Sequence, residues 1–174
     1  GPAYEPTLWY AIDTVGNVNV NVIRAEMGQH VGTAIARILA DELGVGWDDV
    51  RITHVDSDPK WGLMVTGGSW SVSQSWPVYR QAGAAGRIAL TEAAAARWGV
   101  DPATCLAQDG RVTSGTNSVT YAELVTAGIT RTFTEDEMKA LPLKPHSALR
   151  LVGHAVDALD IANKTTGKTI YGID

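Results

Sequence analysis

Hydrophobic and polar positions first alternate along this chain and then recur at helical spacing. Between Leu8 and Ile23 the residues run L-W-Y-A-I-D, T-V-G-N, V-N-V-N-V-I, so that Val18, Val20 and Val22 interleave with Asn17, Asn19 and Asn21. Alternation of this kind marks a half-buried strand, and Gly16-Asn17 supplies a turn; two antiparallel strands are predicted. Val31, Ala34, Ile35, Ile38, Leu39 and Leu43 share one helical face, and Gly44 stands where a helix ends. Val50 to Val55 predicts the next strand, followed by a Gly/Ser/Trp loop from about Asp56 to Ser75. A long Ala-rich helix comes after it, with Pro77 in its first turn, Ser75 or Trp76 near its cap and its end at about Trp98.

Beyond Gly99 the pattern shortens. Strands are predicted at Cys105 to Gln108 and Arg111 to Thr113 around an Asp109-Gly110 turn, with Val119 to Tyr121 as a third piece. Thr120 caps a short helix from Tyr121 to Ala127, and Thr134-Glu135-Asp136-Glu137 has the form of a capping box. From Leu141 onward Pro142, Pro145 and scattered polar residues predict an extended tail. The expected fold is α+β with an α/β-like core. It is a two-layer β-α-β-α sandwich with an N-terminal hairpin, a small C-terminal β/helix part and that tail. Residues 1–130 form the domain, and 131–174 a tail or linker towards a following domain absent from this chain. Ala82, Gly83, Ala85 and Gly86 give the long helix a smooth face, for which a well-packed core helix is a sufficient reading. The Ala/Gly-smooth stretch from Ala82 to Ala96, with the patternless tail from Leu141 to Asp174 and Trp61, Trp70 and Trp76 crowded in one loop, also predicts an apolar face held for a missing neighbour.

Composition narrows the class. At 174 residues the chain fits one domain, and its 45% hydrophobic and 19% charged residues are those of a globular protein. No stretch approaches the roughly 18 apolar residues of a membrane span. The net charge of −5, with 14 basic residues spread out, provides no basic stripe for nucleic acid. The single cysteine, Cys105, excludes an internal disulfide and an iron–sulfur cluster held by this chain alone, and its setting predicts a buried structural thiol. The start, Gly1-Pro2-Ala3-Tyr4-Glu5-Pro6, lacks the basic and apolar regions of a signal peptide; Gly1-Pro2 is what a processing protease leaves, so the natural N-terminus is expected to lie elsewhere.

Two segments carry candidate chemistry: Glu26-Met27-Gly28-Gln29-His30 and Thr66-Gly67-Gly68-Ser69-Trp70-Ser71-Val72-Ser73. Each joins a strand to a helix start. In a β-α-β-α unit of right-handed crossover both lie at the carboxyl edge of neighbouring parallel strands. Unpaired N–H groups and the partial positive charge of helix N-termini suit such an edge to an anion. Glycines at 28, 67 and 68 admit close backbone approach, while Gln29, Thr66, Ser69 and Ser71 offer neutral donors and acceptors. The residues alone leave two alternatives open, an anion site or a loop with a capping serine. His30 reads as a hydrogen-bonded group at a helix start; His54, Asp56 and Asp58 could form a metal cluster, but an Asp-Ser-Asp-Pro turn accounts for the two carboxylates, so no metal ligand set is assigned.

Glu26-Met27-Gly28-Gln29, the following Thr33 to Leu43 helix, the Asp48 to Ile52 strand entry, the Thr66 to Ser71 loop and the Ala-rich helix resemble the second molybdopterin-binding region of the xanthine dehydrogenase and aldehyde oxidase family. Arg80 to Ala85, Trp98-Gly99-Val100, Arg150 to Gly153, Lys164 to Lys168 and Tyr171 to Asp174 are similar to the large subunits of isoquinoline-oxidoreductase type, in which this region stands first. The resemblance covers nearly the whole chain. It implies that Gly28, Gln29, Thr66, Gly67, Gly68, Ser69 and Ser71 contact the pterin of a molybdenum cofactor, in a dinucleotide form. His30 and Trp70 border the same site and are where the chain departs from the family pattern, which has glycine and a smaller residue there.

The glutamate base of the family, in a downstream G-x-G-E-type segment, has no counterpart here, so no catalytic residue is assigned and Glu26 is not promoted to that role. The resemblance therefore implies one cofactor-binding portion of a molybdenum hydroxylase. Its parent would oxidise aldehydes or N-heteroaromatics with water as oxygen source. Its partners would be the remaining domains of the large subunit, or a split partner chain, and an iron–sulfur subunit. The isolated chain is expected to hold no cofactor and to be inactive, and the resemblance is compatible with a periplasmic location. The alternative is a non-catalytic binding or assembly domain of the same fold that has lost the cofactor. A small hydrolase using Ser69 or Ser71 lacks a G-x-S-x-G elbow and is set aside.

Overall fold

The computed structural model describes residues 3–23, 29–56, 72–149 and 151. Its elements are β1 (Tyr4–Thr7), β2 (Tyr10–Ile12), β3 (Val18–Ile23), α1 (Gln29–Leu43), β4 (Val50–Val55), α2 (Val72–Trp98), β5 (Leu106–Gln108), β6 (Arg111–Ser114), β7 (Asn117–Thr120), α3 (Tyr121–Ala127) and α4 (Glu135–Ala140). The predicted α+β sandwich is present. A four-stranded sheet in the order β1-β2-β3-β4 lies beneath α1 and α2, and a three-stranded meander, β5-β6-β7, stands beside it.

The alternation of valine and asparagine does what its period requires. Val18, Val20 and Val22 are fully buried under the helices, while Asn19 and Asn21 on the opposite face are half-buried. The turn closes on Asp13, whose Oδ1 accepts from the Asn17 amide at 2.8 Å, with Gly16 at φ +95°. β3 pairs antiparallel with β2, Tyr10 opposite Val20, and parallel with β4, Val20 opposite Ile52. β3-α1-β4 is therefore the expected crossover unit. The hairpin differs in one respect. Leu8 and Trp9 form a turn, and an additional edge strand, β1, precedes them; Pro6 disguises it, since proline is tolerated in strands mainly at sheet edges.

α1 ends at Gly44, whose φ of +86° continues the chain into the second sheet. A Cβ there would stand 2.9 Å from the Ala107 carbonyl oxygen, so backbone meets backbone at this joint. The Gly110 amide donates to the Gly44 carbonyl at 2.8 Å and the Tyr121 hydroxyl to the Leu43 carbonyl at 2.7 Å. Asp109 (φ 54°) and Gly110 (φ 75°) make the predicted hairpin turn. The predicted capping box at Thr134 forms, its hydroxyl accepting from the Glu137 amide, and the Thr120 cap is a second capping box, accepting from the Glu123 amide.

Three expectations need correction. The long helix begins at Val72, five residues before Pro77, which forgoes one intrahelical hydrogen bond without ending the helix. Its smooth face is not kept for a missing neighbour: a Cβ on Gly83 would sit 2.5 Å from the Leu39 carbonyl oxygen, and one on Gly86 would strike the Tyr10 hydroxyl. Those glycines are the contact between α2, α1 and the sheet. Cys105 is partly exposed rather than buried, its Sγ 3.9 Å from the Asp101 carbonyl oxygen.

The tail, over its described part, also finds its support within the chain. Glu42 on α1 is completely buried. Its Oε1 accepts from Arg80 Nε at 2.8 Å, its Oε2 from Arg87 NH2 at 3.2 Å, and the Lys144 amide donates to Oε2 at 3.0 Å. Arg80 and Arg87 also donate to the carbonyls of Lys144 and Pro142, and the Leu151 amide to Asp41 Oδ1 at 2.8 Å. A buried carboxylate thus ties α1, α2 and the start of the tail together, its charge compensated as a desolvated ion requires.

Candidate functional site

β3 and β4 are adjacent, parallel and in register from Val18 opposite Val50 to Ile23 opposite Val55. From their carboxyl ends leave the two segments that carry the candidate chemistry. Residues 24–28 connect β3 to α1, which begins at Gln29; residues 57–71 follow β4 and precede α2, which begins at Val72. The strand ends from which the two segments depart therefore lie side by side at one sheet edge.

Of the predicted site residues, Gln29 and His30 open the first turn of α1. Gly28, Thr66, Gly67, Gly68, Ser69, Trp70 and Ser71 lie outside the described residues, as do Glu26, Met27, Asp58, Trp61 and residues 152–174. His54 occupies β4, exposed, with Asp56 just beyond the strand. Among the described residues no group of three acidic, histidine or cysteine side chains could hold a metal ion.

The edge is held by contacts whose donors are tyrosines. Tyr79, seven residues into α2, is fully buried and donates its hydroxyl to the Asn21 carbonyl at 2.7 Å. Its ring meets Trp9 at 5.3 Å between centroids, tilted by 43°. Tyr10 donates to the Ala82 carbonyl at 2.7 Å. Burial raises the pKa of both hydroxyls well above the usual tyrosine value, so both remain neutral donors. Sequence reasoning passes over Tyr79; a tyrosine ahead of the small-residue run Ala82 to Gly86 is the available signal.

The first turn of a helix presents N–H groups without intrahelical partners, and two such turns at one edge favour a ligand carrying negative charge. A sizeable hollow among the described residues is elsewhere. About 880 Å³ in volume, it lies between the C-terminal end of α1, α2 and β5, lined by Gly44, Thr91, Cys105, Leu106 and Lys144. α1 has 15 residues and so spans about 22 Å, which puts this hollow at the far end of the helix from the carboxyl edge.

No described helix is long and apolar enough to cross a membrane. A membrane-bound aldehyde dehydrogenase [pyrroloquinoline-quinone] of Gluconacetobacter polyoxogenes is 53% identical over 99% of this chain and 22% of its own length. The beta chain of the isoquinoline 1-oxidoreductase of Brevundimonas diminuta is 29% identical over 99% of this chain and 27% of its own. For a subunit of the nicotinate dehydrogenase of Pseudomonas putida the figures are 30%, 96% and 14%. The chain thus spans about a quarter or less of the curated relatives it matches. Residues 3–154 match the family described as the molybdopterin cofactor-binding domain, which takes in both sheets, both long helices and the clamped tail, and the chain belongs to that family, as a molybdopterin-binding part of a subunit of xanthine dehydrogenase type.

Proposed function

We propose that this chain forms one wall of a molybdenum cofactor site, with Gly28, Gln29, Thr66, Gly67, Gly68, Ser69 and Ser71 against the pterin and His30 and Trp70 at its border. The observation that carries this reading is the parallel pair β3 and β4, whose carboxyl ends both lead into helix N-termini at one sheet edge. Backbone N–H groups of the first turn of α1 and of the Gly67-Gly68 segment hold the phosphate-bearing part of the cofactor, and the Gln29 amide satisfies a pterin polar edge. The bound group supplies the two-electron oxidation centre; the residues of this chain bind and orient it and exclude water from its pterin face. A dinucleotide form of the cofactor is what the family resemblance implies.

The parent enzyme, on this reading, hydroxylates an aldehyde or an N-heteroaromatic carbon with water as oxygen source and passes electrons to an iron–sulfur subunit. The remainder of the site, including the base, comes from other parts of the large subunit, so the isolated chain is inactive. The 53% identical relative is named for pyrroloquinoline quinone, which makes that quinone the specific competing cofactor. In the complete assembly Gln29→Ala and Gly68→Val lower molybdenum content severalfold, the first by removing a hydrogen-bonding pair and the second by filling the space of close approach. Normal molybdenum content in both variants contradicts the assignment of these positions; an assembly without molybdenum favours the non-catalytic domain.

A further inference from the structure

The ladder between β2 and β3 breaks where the candidate edge begins. Tyr10 stands opposite Val20, so Trp9 and Asn21 are the next pair and would exchange two hydrogen bonds in a continuing antiparallel ladder. Only one forms: the Asn21 amide donates to the Trp9 carbonyl at 2.8 Å. The Trp9 amide turns instead to Thr7 Oγ1 at 3.1 Å, and Asn21 Nδ2 reaches the Leu8 carbonyl at 3.0 Å. The Asn21 carbonyl, released from the ladder, is taken by the Tyr79 hydroxyl at 2.7 Å. A backbone carbonyl withdrawn from water requires such a partner, and here the partner comes from α2 rather than from the sheet.

This bond has a particular place. Asn21 lies two residues before the end of β3, from which the chain runs through residues 24–28 into α1. Tyr79 lies in the N-terminal third of α2, the helix entered from residues 57–71. One hydrogen bond therefore fixes the stem of one candidate cofactor segment to the stem of the other. The Trp9 ring beside Tyr79 holds the phenol from the hairpin side. Tyr121 makes a bond of the same kind and length, to Leu43, but at the opposite end of α1.

We infer that Tyr79 is a positioning residue for the cofactor site, its hydroxyl tying the carboxyl end of β3 to the N-terminal third of α2. The inference rests on the cofactor reading above but is separable from it. In the complete assembly Tyr79→Phe keeps the ring and the Trp9 contact and removes only the hydroxyl; Tyr121→Phe removes an equivalent hydroxyl far from the edge. Tyr79→Phe lowers retained molybdenum about fivefold, the size of one hydrogen bond, and speeds amide exchange at Asn21 and Val22 in β3, whereas Tyr121→Phe does neither. Equal effects of the two variants on both readouts, or none from Tyr79→Phe, overturn the inference. If the parent assembly holds no molybdenum, the cofactor reading fails, and the exchange comparison alone decides: faster exchange at the edge confined to Tyr79→Phe sustains the positioning role, and equal exchange removes it.

Discussion

The two ends of α1 use their polar groups differently. At the C-terminal end Glu42 meets Arg80, Arg87 and the Lys144 amide, Gly44 is pinned to β5–β7, and Tyr121 closes on Leu43. These donors and acceptors are spent on the chain itself. On the reading proposed above, the N-terminal end is served by Gly28, Gln29, Thr66, Gly67, Gly68, Ser69 and Ser71, polar or small residues with no apolar periodicity in the sequence. Stabilising contacts gather at the C-terminal end of the helix, and the proposed function assigns ligand binding to the other. Groups meant for a ligand are groups that the fold does not consume.

If this division holds, the largest loss of stability follows from Glu42→Ala. It leaves Arg80, Arg87 and the Lys144 amide facing an emptied buried site and costs about 3 to 5 kcal/mol, read as a shift in urea midpoint. Gly83→Ala comes next: its methyl group collides with the Leu39 carbonyl and costs about 1 to 3 kcal/mol, with α1 and α2 forced apart. Alkaline titration probes the buried tyrosines together. Burial raises Tyr4 to about 12 from an unfolded value of 10.0, and raises Tyr10, Tyr79 and Tyr121 as well. Their contribution is intact below pH 10 and is lost as pH rises from 10 towards 12, so thermal melts fall across that window and stay level, on their account, beneath it.

Thr120→Ala removes the cap of α3 and costs about 1 kcal/mol. The smallest effect on stability is expected from Gln29→Ala, within about 0.5 kcal/mol, although the same substitution lowers cofactor content. A Gln29→Ala variant as destabilised as Glu42→Ala would erase the distinction between the two ends.

Much of this architecture is legible from local pattern. Val18 to Val22 define a strand and its buried face, Thr120 and Thr134 announce their helices, and Asp109-Gly110 announces a turn, because each depends on neighbours in sequence. Contacts distant in sequence are not legible. Glu42 looks like a solvated residue of A-D-E-L, and only the seven-residue spacing of Arg80 and Arg87 on one face of α2 hints at a buried carboxylate opposite them. Pro77 carries the usual proline preference for a first turn, which the packing of α2 overrides. The smooth face of Ala82 to Gly86 correctly announces close packing but not its partner, since small residues specify proximity without identity. For the site, β3-α1-β4 brings the strand ends before the two segments to one edge; the roles of Gly28 and of Thr66 to Ser71 rest on family resemblance.

The most direct measurement is identification of the group released from the complete assembly on denaturation, by mass spectrometry together with elemental analysis. The account predicts a pterin nucleotide with stoichiometric molybdenum, and its loss from the Gly68→Val assembly. Pyrroloquinoline quinone in stoichiometric amount with no molybdenum would contradict it.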